Sequence, residues 1–381
     1  MKSHSQNLAL LPGGFVDLLG ADAAREADSI SALMGLFTAY GYERIKPPMA
    51  EYEDSLLAPG PGAALAGETF RLMDPESHRM LGIRADITPQ ISRIARSRYE
   101  DRARPLRLAY ANDVLRTRGG QDRFARQFCQ VGAEIIGDEG LEALIESAVL
   151  AVQGVGALGI NEITLDLALP RLVDQICAAH KTPPADILDD LTQRRKTGAK
   201  GKLGAILDSL LECNGGARDV LRALKKLSLP KDSANDVKAL EKTVTAIEIA
   251  LEQLGVNAQI TIDALERKGF DYHSGITFTL FARNVRGELG RGGRYNVHFG
   301  SEDTPPEAAT GFTLYMDTIR AGLPDTAADK ILAVPYKLPW GEIKRLQGEG
   351  WITLRYKEKD IPKDATHLYK EGAITARKKD I

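Results

Sequence analysis

The feature that most constrains this chain is a run of uninterrupted helix-forming sequence from Arg171 to about Gly255, rich in Lys, Asp and Leu, with strand-like segments on both sides. Ahead of it, Leu106 to Leu115 and Phe128 to Ile136 read as a strand pair, and Glu162 to Leu169 alternates at the period of a strand. Beyond it, Ile260 to Ile262, Thr277 to Arg283 and Gly311 to Tyr315 read as strands. Strands before and after one helical block argue for a single α+β domain at 1–323 with a helical insertion at about 171–256, not for a doubly wound parallel sheet.

Other elements follow from local pattern. Ala21 to Tyr40 places Ile30, Leu33, Met34 and Phe37 on one helix face, and Gly41 stops that helix. Tyr42 to Pro48 reads as an edge or interface strand ended by its proline pair. Phe70 to Met73 and Met80 to Arg84 form a hairpin pattern around Asp74-Pro75-Glu76-Ser77, and Thr88-Pro89 reads as an N-cap with proline in the first helical position. Past Leu323, a strand, a helix and a strand make a small α/β region, 324–381, below the usual size of a self-sufficient domain.

Composition narrows the class. A hydrophobic share of 43%, a charged share of 27% and a formal net charge of -2 give no global pull toward nucleic acid or membrane. Cys129, Cys177 and Cys213 lack the spacing of a disulfide framework or a zinc site. No apolar run approaches the ~20 residues that span a bilayer, and no signal-peptide pattern opens the chain. The expectation is a cytoplasmic protein.

Four local patterns carry chemistry. Arg84-Ala85-Asp86-Ile87-Thr88 sets a carboxylate and a hydroxyl between a strand and a helix start, where Asp86 either meets a ligand ammonium group or caps the helix with Thr88. In Phe128 to Glu134, period-two spacing puts Gln130, Gly132 and Glu134 on one strand face, which is either solvated or holds a polar ligand. Lys268, Tyr272 and His273 offer a cation, a phenol and an imidazole in one loop. Gly290 to Tyr295 reads either as a plain glycine-rich turn between strands or as a close backbone approach to a ligand; it lacks the spacing of a phosphate-binding P-loop.

In this order the segments resemble the catalytic domain of histidyl-tRNA synthetase, a class II aminoacyl-tRNA synthetase, over roughly residues 10–320. LPGGFVDLL is similar to that family's opening PRGTxDxLP, GYERIKPPMAEYE to its first motif at the dimer interface, and RADIT to its RPEGT. VLRTRGGQDRFARQFCQVGAEIIG is similar to its second motif, KGFDYHSG to RGLDYYTG, and RGGRYN to GGRYD. The resemblance implies an α+β fold, an antiparallel sheet flanked by helices. It places Asp86, Thr88, Gln130, Glu134, Tyr272 and His273 at histidine-contacting positions, with Arg116 and Lys268 beside them.

Departures from the family pattern bear on function. Lys268 stands for an arginine and cannot offer its planar fork. Arg118-Gly119 replaces a Glu-Arg pair, Phe124 replaces a loop arginine, and Thr318 stands where class II enzymes keep an arginine on the γ-phosphate. About fifty residues follow the core where a synthetase carries a larger anticodon-binding domain. With these losses the chain resembles the regulatory subunits of ATP phosphoribosyltransferase. That implies a homodimer within a hetero-oligomer, the short catalytic subunit as partner, free L-histidine as effector, and no chemistry, cofactor, metal, tRNA or membrane. A divergent active synthetase and a stand-alone histidine sensor are the competing expectations. His273 in place of the family's second tyrosine would make binding depend on pH near neutrality.

Overall fold

The structure is a computed structural model describing residues 10–120, 123–267, 273–297, 305–324, 330–357 and 360–377. The chain divides into two compact units, 1–323 and 324–381. Among the described residues, no helix is long and apolar enough to cross a membrane.

The first unit is built on a nine-stranded sheet. Its strands are β1 (Glu43–Arg44), β5 (Leu106–Leu115), β6 (Gln127–Ile136), β7 (Ile163–Ala168), β8 (Asn214–Gly216), β9 (Ala258–Asp263), β10 (His273–Ala282), β11 (Gly290–Val297) and β12 (Glu307–Tyr315), ordered β1-β5-β6-β12-β11-β10-β7-β9-β8. From β5 to β7 every pairing is antiparallel, while β1 with β5 and β7 with β9 are parallel, so the sheet is mixed at its edges. A smaller sheet orders β2 (Ala50–Tyr52), β4 (Met80–Ile83) and β3 (Phe70–Met73), the last two forming the hairpin the turn residues predict.

Strand alternation sorts side chains onto two cores. On one face Ala109, Val131, Ala133 and Ile135 pack under the helices Gly20–Ala39 and Leu141–Ala157, together with Leu33, Phe37 and Leu150. On the other, Leu106, Leu108, Tyr110, Phe128, Ile136 and Tyr295 pack with Ile87 and Ile91 at the helix Thr88–Ser97. The helical block holds five helices, Leu172–Ala179, Ala185–Thr192, Gly201–Leu210, Ala217–Leu224 and Lys231–Leu254, plus the three-residue strand β8, which joins the sheet edge.

Three local expectations need correction. Tyr42 to Pro48 yields only the two-residue β1, because Pro47 and Pro48 have no N–H for a ladder. Their carbonyls instead accept from the Arg84 guanidinium, at 3.0 and 3.1 Å. Thr88 lies inside its helix, whose N-cap is Ile87, and the Asp86 carboxylate one residue earlier accepts the Thr88 N–H through Oδ1 at 2.9 Å. Gly290 to Tyr295 is not a turn but the body of β11, paired on both edges.

The second unit, taken by itself, orders β14 (Ile352–Tyr356), β13 (Ile331–Pro335), β15 (His367–Lys370) and β16 (Ala373–Ala376). The hairpin β15–β16 follows the strand, helix and strand legible in the sequence. Leu332, Val334, Ile343, Leu346 and Tyr369 make its small core.

Candidate functional site

A cavity of about 180 Å³ opens on the sheet face that carries Glu134. The register across the sheet explains why space exists there. Glu134 on β6 pairs with Gly311 on β12, Gly311 with Gly293 on β11, and Gly293 with Thr277 on β10. In the next row Tyr110 pairs with Gly132, Gly132 with Thr313, and Thr313 with Arg291. Directly opposite residues share a face, so Gly132, Gly293 and Gly311 remove three adjacent side chains and leave a depression. A Cβ on Gly311 would overlap the Glu134 carboxylate, and one on Gly132 would overlap the Tyr110 hydroxyl.

Asp86, Thr88, Arg116, Glu134 and His273 line this cavity together, with Glu68, Arg291, Tyr295, Thr313 and Tyr315 among the other walls. Gln130 does not line it. Fully buried, it stands behind Asp86: its Nε2 donates to Asp86 Oδ2 at 2.7 Å and its Oε1 accepts the Ile87 N–H at 3.1 Å. Asp86 is thus held by one oxygen through the helix start and by the other through β6. Lys268 and Tyr272 lie outside the described residues.

Glu134 is 2% exposed. The Tyr295 hydroxyl donates to its Oε2 at 3.2 Å. Burial is the main cause that pushes its carboxyl up to about 8, with the nearby Asp86 carboxylate acting in the same direction. The Tyr110 hydroxyl and Thr313 Oγ1 are 2.7 Å apart beside it, and burial raises the Tyr110 phenol as well. His273 opens β10 opposite Tyr295, their rings meeting edge to face with centroids 6.4 Å apart.

The cationic end is arranged differently. Arg116 donates from Nε to the Ala85 carbonyl at 3.2 Å and sits 3.3 Å from Glu68 Oε2. Arg291 is held by Glu288. Arg123 lies beyond the cavity lining, stacked 3.6 Å from the Tyr315 ring and paired with Asp317 at 3.1 Å. Each arginine therefore has an acidic partner. Thr318 Oγ1 is 3.5 Å from the Arg123 guanidinium.

Arg291 and Tyr295 are wall residues that sequence reasoning did not single out. Their signal was present: Arg291, Gly293 and Tyr295 alternate as Gln130, Gly132 and Glu134 do, a glycine between two polar residues at period two. Among the described residues, no group of three or more His, Cys, Asp and Glu is placed to hold a metal ion.

Comparison with known proteins gives the class and then the branch. The family model for histidyl-tRNA synthetase matches residues 14–319. The ATP phosphoribosyltransferase regulatory subunit of Rhodospirillum centenum is 42% identical, the alignment covering 97% of both chains. Among solved structures, an ATP phosphoribosyltransferase regulatory subunit/histidyl-tRNA synthetase from Bacillus halodurans superposes with a TM-score of 0.75 at 22% identity, over 91% of this chain and 93% of that one. A chain of an ATP phosphoribosyl transferase complex from Thermotoga maritima gives a TM-score of 0.57 at 16% identity, over 76% and 97%. The chain belongs to the histidyl-tRNA synthetase family and, within it, to the ATP phosphoribosyltransferase regulatory subunits.

Proposed function

We propose that this chain binds free L-histidine in the cavity over Glu134 and, as the non-catalytic partner of a short ATP phosphoribosyltransferase catalytic subunit, supports and feedback-regulates the first step of histidine biosynthesis. The observation that carries the reading is the convergence of Asp86, Thr88, Arg116, Glu134 and His273 on one small cavity. Asp86 and Glu134 are acceptors for an ammonium group and an imidazole N–H, and Arg116 is a cation at the rim for a carboxylate. A volume of about 180 Å³ falls below the ~300–1,000 Å³ of drug-sized ligand sites, which favours an amino acid over a nucleoside triphosphate.

The pairing of Arg291 and Arg123 with carboxylates also supports a site that does not activate histidine with ATP, because a cation already neutralised is a poor clamp for phosphates. Partnership is supported by the fold shared with the Thermotoga maritima complex. Histidine would act by favouring one arrangement of the complex over another, since a ligand shifts an equilibrium only through differential affinity. Met49, Tyr52, Leu72, Met73 and Met80 are exposed at and beside the small sheet β2-β4-β3 and suit the second copy of a homodimer.

Titration with L-histidine, alone and with the catalytic subunit, tests the reading: saturable binding and histidine-dependent inhibition of the complex are expected. Histidine-dependent exchange of pyrophosphate into ATP by this chain would instead establish an active synthetase. Repeated failure to bind or activate a catalytic subunit would leave a stand-alone sensor.

A further inference from the structure

We propose that Glu134 is a neutral acid in the empty cavity and loses its proton when a ligand N–H docks on it, so that the site recognises its effector by displacing a proton as well as by shape. This rests on the reading of the cavity as a histidine site. The geometry carries the idea. Glu134 is 2% exposed, and among the described residues the side chains that hydrogen-bond it are the phenols of Tyr295 and Tyr110, not a cation. A carboxylate taken out of water without a counter-ion sheds its charge by taking up a proton.

The groups that face it keep it so. Tyr110 from β5 and Tyr295 from β11 bring hydroxyls, and Asp86, from the turn before the helix Thr88–Ser97, brings a second carboxylate that disfavours a further negative charge. Arg116 at the end of β5 and Arg291 on β11 line the same cavity but are engaged by Glu68 and Glu288, and His273 on β10 stands beside Tyr295. The raised carboxyl, up to about 8, agrees with this arrangement.

When a ring N–H approaches, the ionised form becomes the better acceptor, since hydrogen bonds to a charged group are roughly twice as strong. The Glu134 O–H bond breaks, its proton goes to solvent, and the ligand N–H donates to the carboxylate formed. No other bond changes.

Calorimetry of L-histidine binding at about pH 7, where free imidazole is largely neutral, in buffers of low and high ionisation enthalpy counts the protons exchanged. Wild type should release about one proton more per site than the isosteric Glu134→Gln variant. Tyr295→Phe should keep that release, because the phenol is not its source. Binding with equal proton counts in wild type and Glu134→Gln would overturn the proposal and leave the histidine site standing. Absence of any histidine binding would overturn the site reading and this proposal with it. A ligand-independent check is the infrared carbonyl band of a protonated carboxyl in the empty protein at about pH 7. It should vanish in Glu134→Gln and on adding histidine to wild type; its absence from empty wild type would also overturn the proposal.

Discussion

The floor of the cavity and the arginines at and beyond its rim belong to the same compact unit, yet they are built on opposite principles. At the rim Arg116 and Arg291, and beyond it Arg123, are each matched by a carboxylate, Glu68, Glu288 and Asp317. On the floor, Glu134 has burial and a phenol and stays uncharged. A satisfied rim resists recruiting phosphates, whereas an unsatisfied floor gains most from a ligand that brings a donor nitrogen.

The largest effect should come from filling the floor. Gly311→Ala puts a methyl where the Glu134 carboxylate lies, costing on the order of 3 kcal/mol as overpacking, and histidine binding by calorimetry should be lost. Unchanged binding would mean that the depression left by the glycines is not the ligand seat.

A pH series tests the floor in the absence of ligand. Glu134 is protonated in the folded state up to about 8, while in the unfolded chain it ionises in the ordinary carboxylate range. Between those limits the unfolded state holds fewer protons, so stability falls as pH rises. Below the window both states are protonated and the term is absent. Chemical denaturation of wild type and Glu134→Gln should therefore diverge progressively from the ordinary carboxylate range up to about 8, the variant becoming relatively more stable. Parallel curves would show that Glu134 is ionised in the fold.

Asp86→Ala should weaken histidine binding by about 10-fold or more, as expected for one hydrogen bond to a charged group. It should also destabilise the fold by about 1 kcal/mol through the lost hydrogen bond to the Thr88 N–H at the helix start. Comparing it with Gln130→Ala sharpens the point: Gln130 touches Asp86 and not the cavity, so its loss should act in the same direction with a smaller effect on affinity.

The smallest effect belongs beyond the rim. Arg123→Ala removes the Asp317 pair and the Tyr315 stack and should cost about 1–2 kcal/mol in denaturant unfolding. Histidine affinity should change less than about 2-fold, because Arg123 lies outside the cavity lining. A larger drop would bring Arg123 into the histidine site.

How far the sequence could be read depends on how local each signal is. The strand pair β5–β6, the hairpin β3–β4 and the helix Gly20–Ala39 rest on periodicity and turn chemistry within a few residues, and those segments fold as their patterns dictate. Glycine misled at β11, because the same missing side chain that marks a turn also marks close approach inside a sheet. Gln130 and Glu134 share a face, which alternation gives. That one would brace Asp86 while the other floors a cavity depends on the turn before the helix Thr88–Ser97 and on β11 and β12, which alternation within β6 does not specify.

By itself the sequence determined the strand and helix segments and the polar, glycine-punctuated face, because these follow from residue types at short spacing. The tertiary structure decided which strands became neighbours, since the register between β6 and β12 joins residues more than 150 positions apart. That register set Glu134 over Gly311 and beneath Tyr295, and burial there, a property of the assembled sheet, is what takes its charge away.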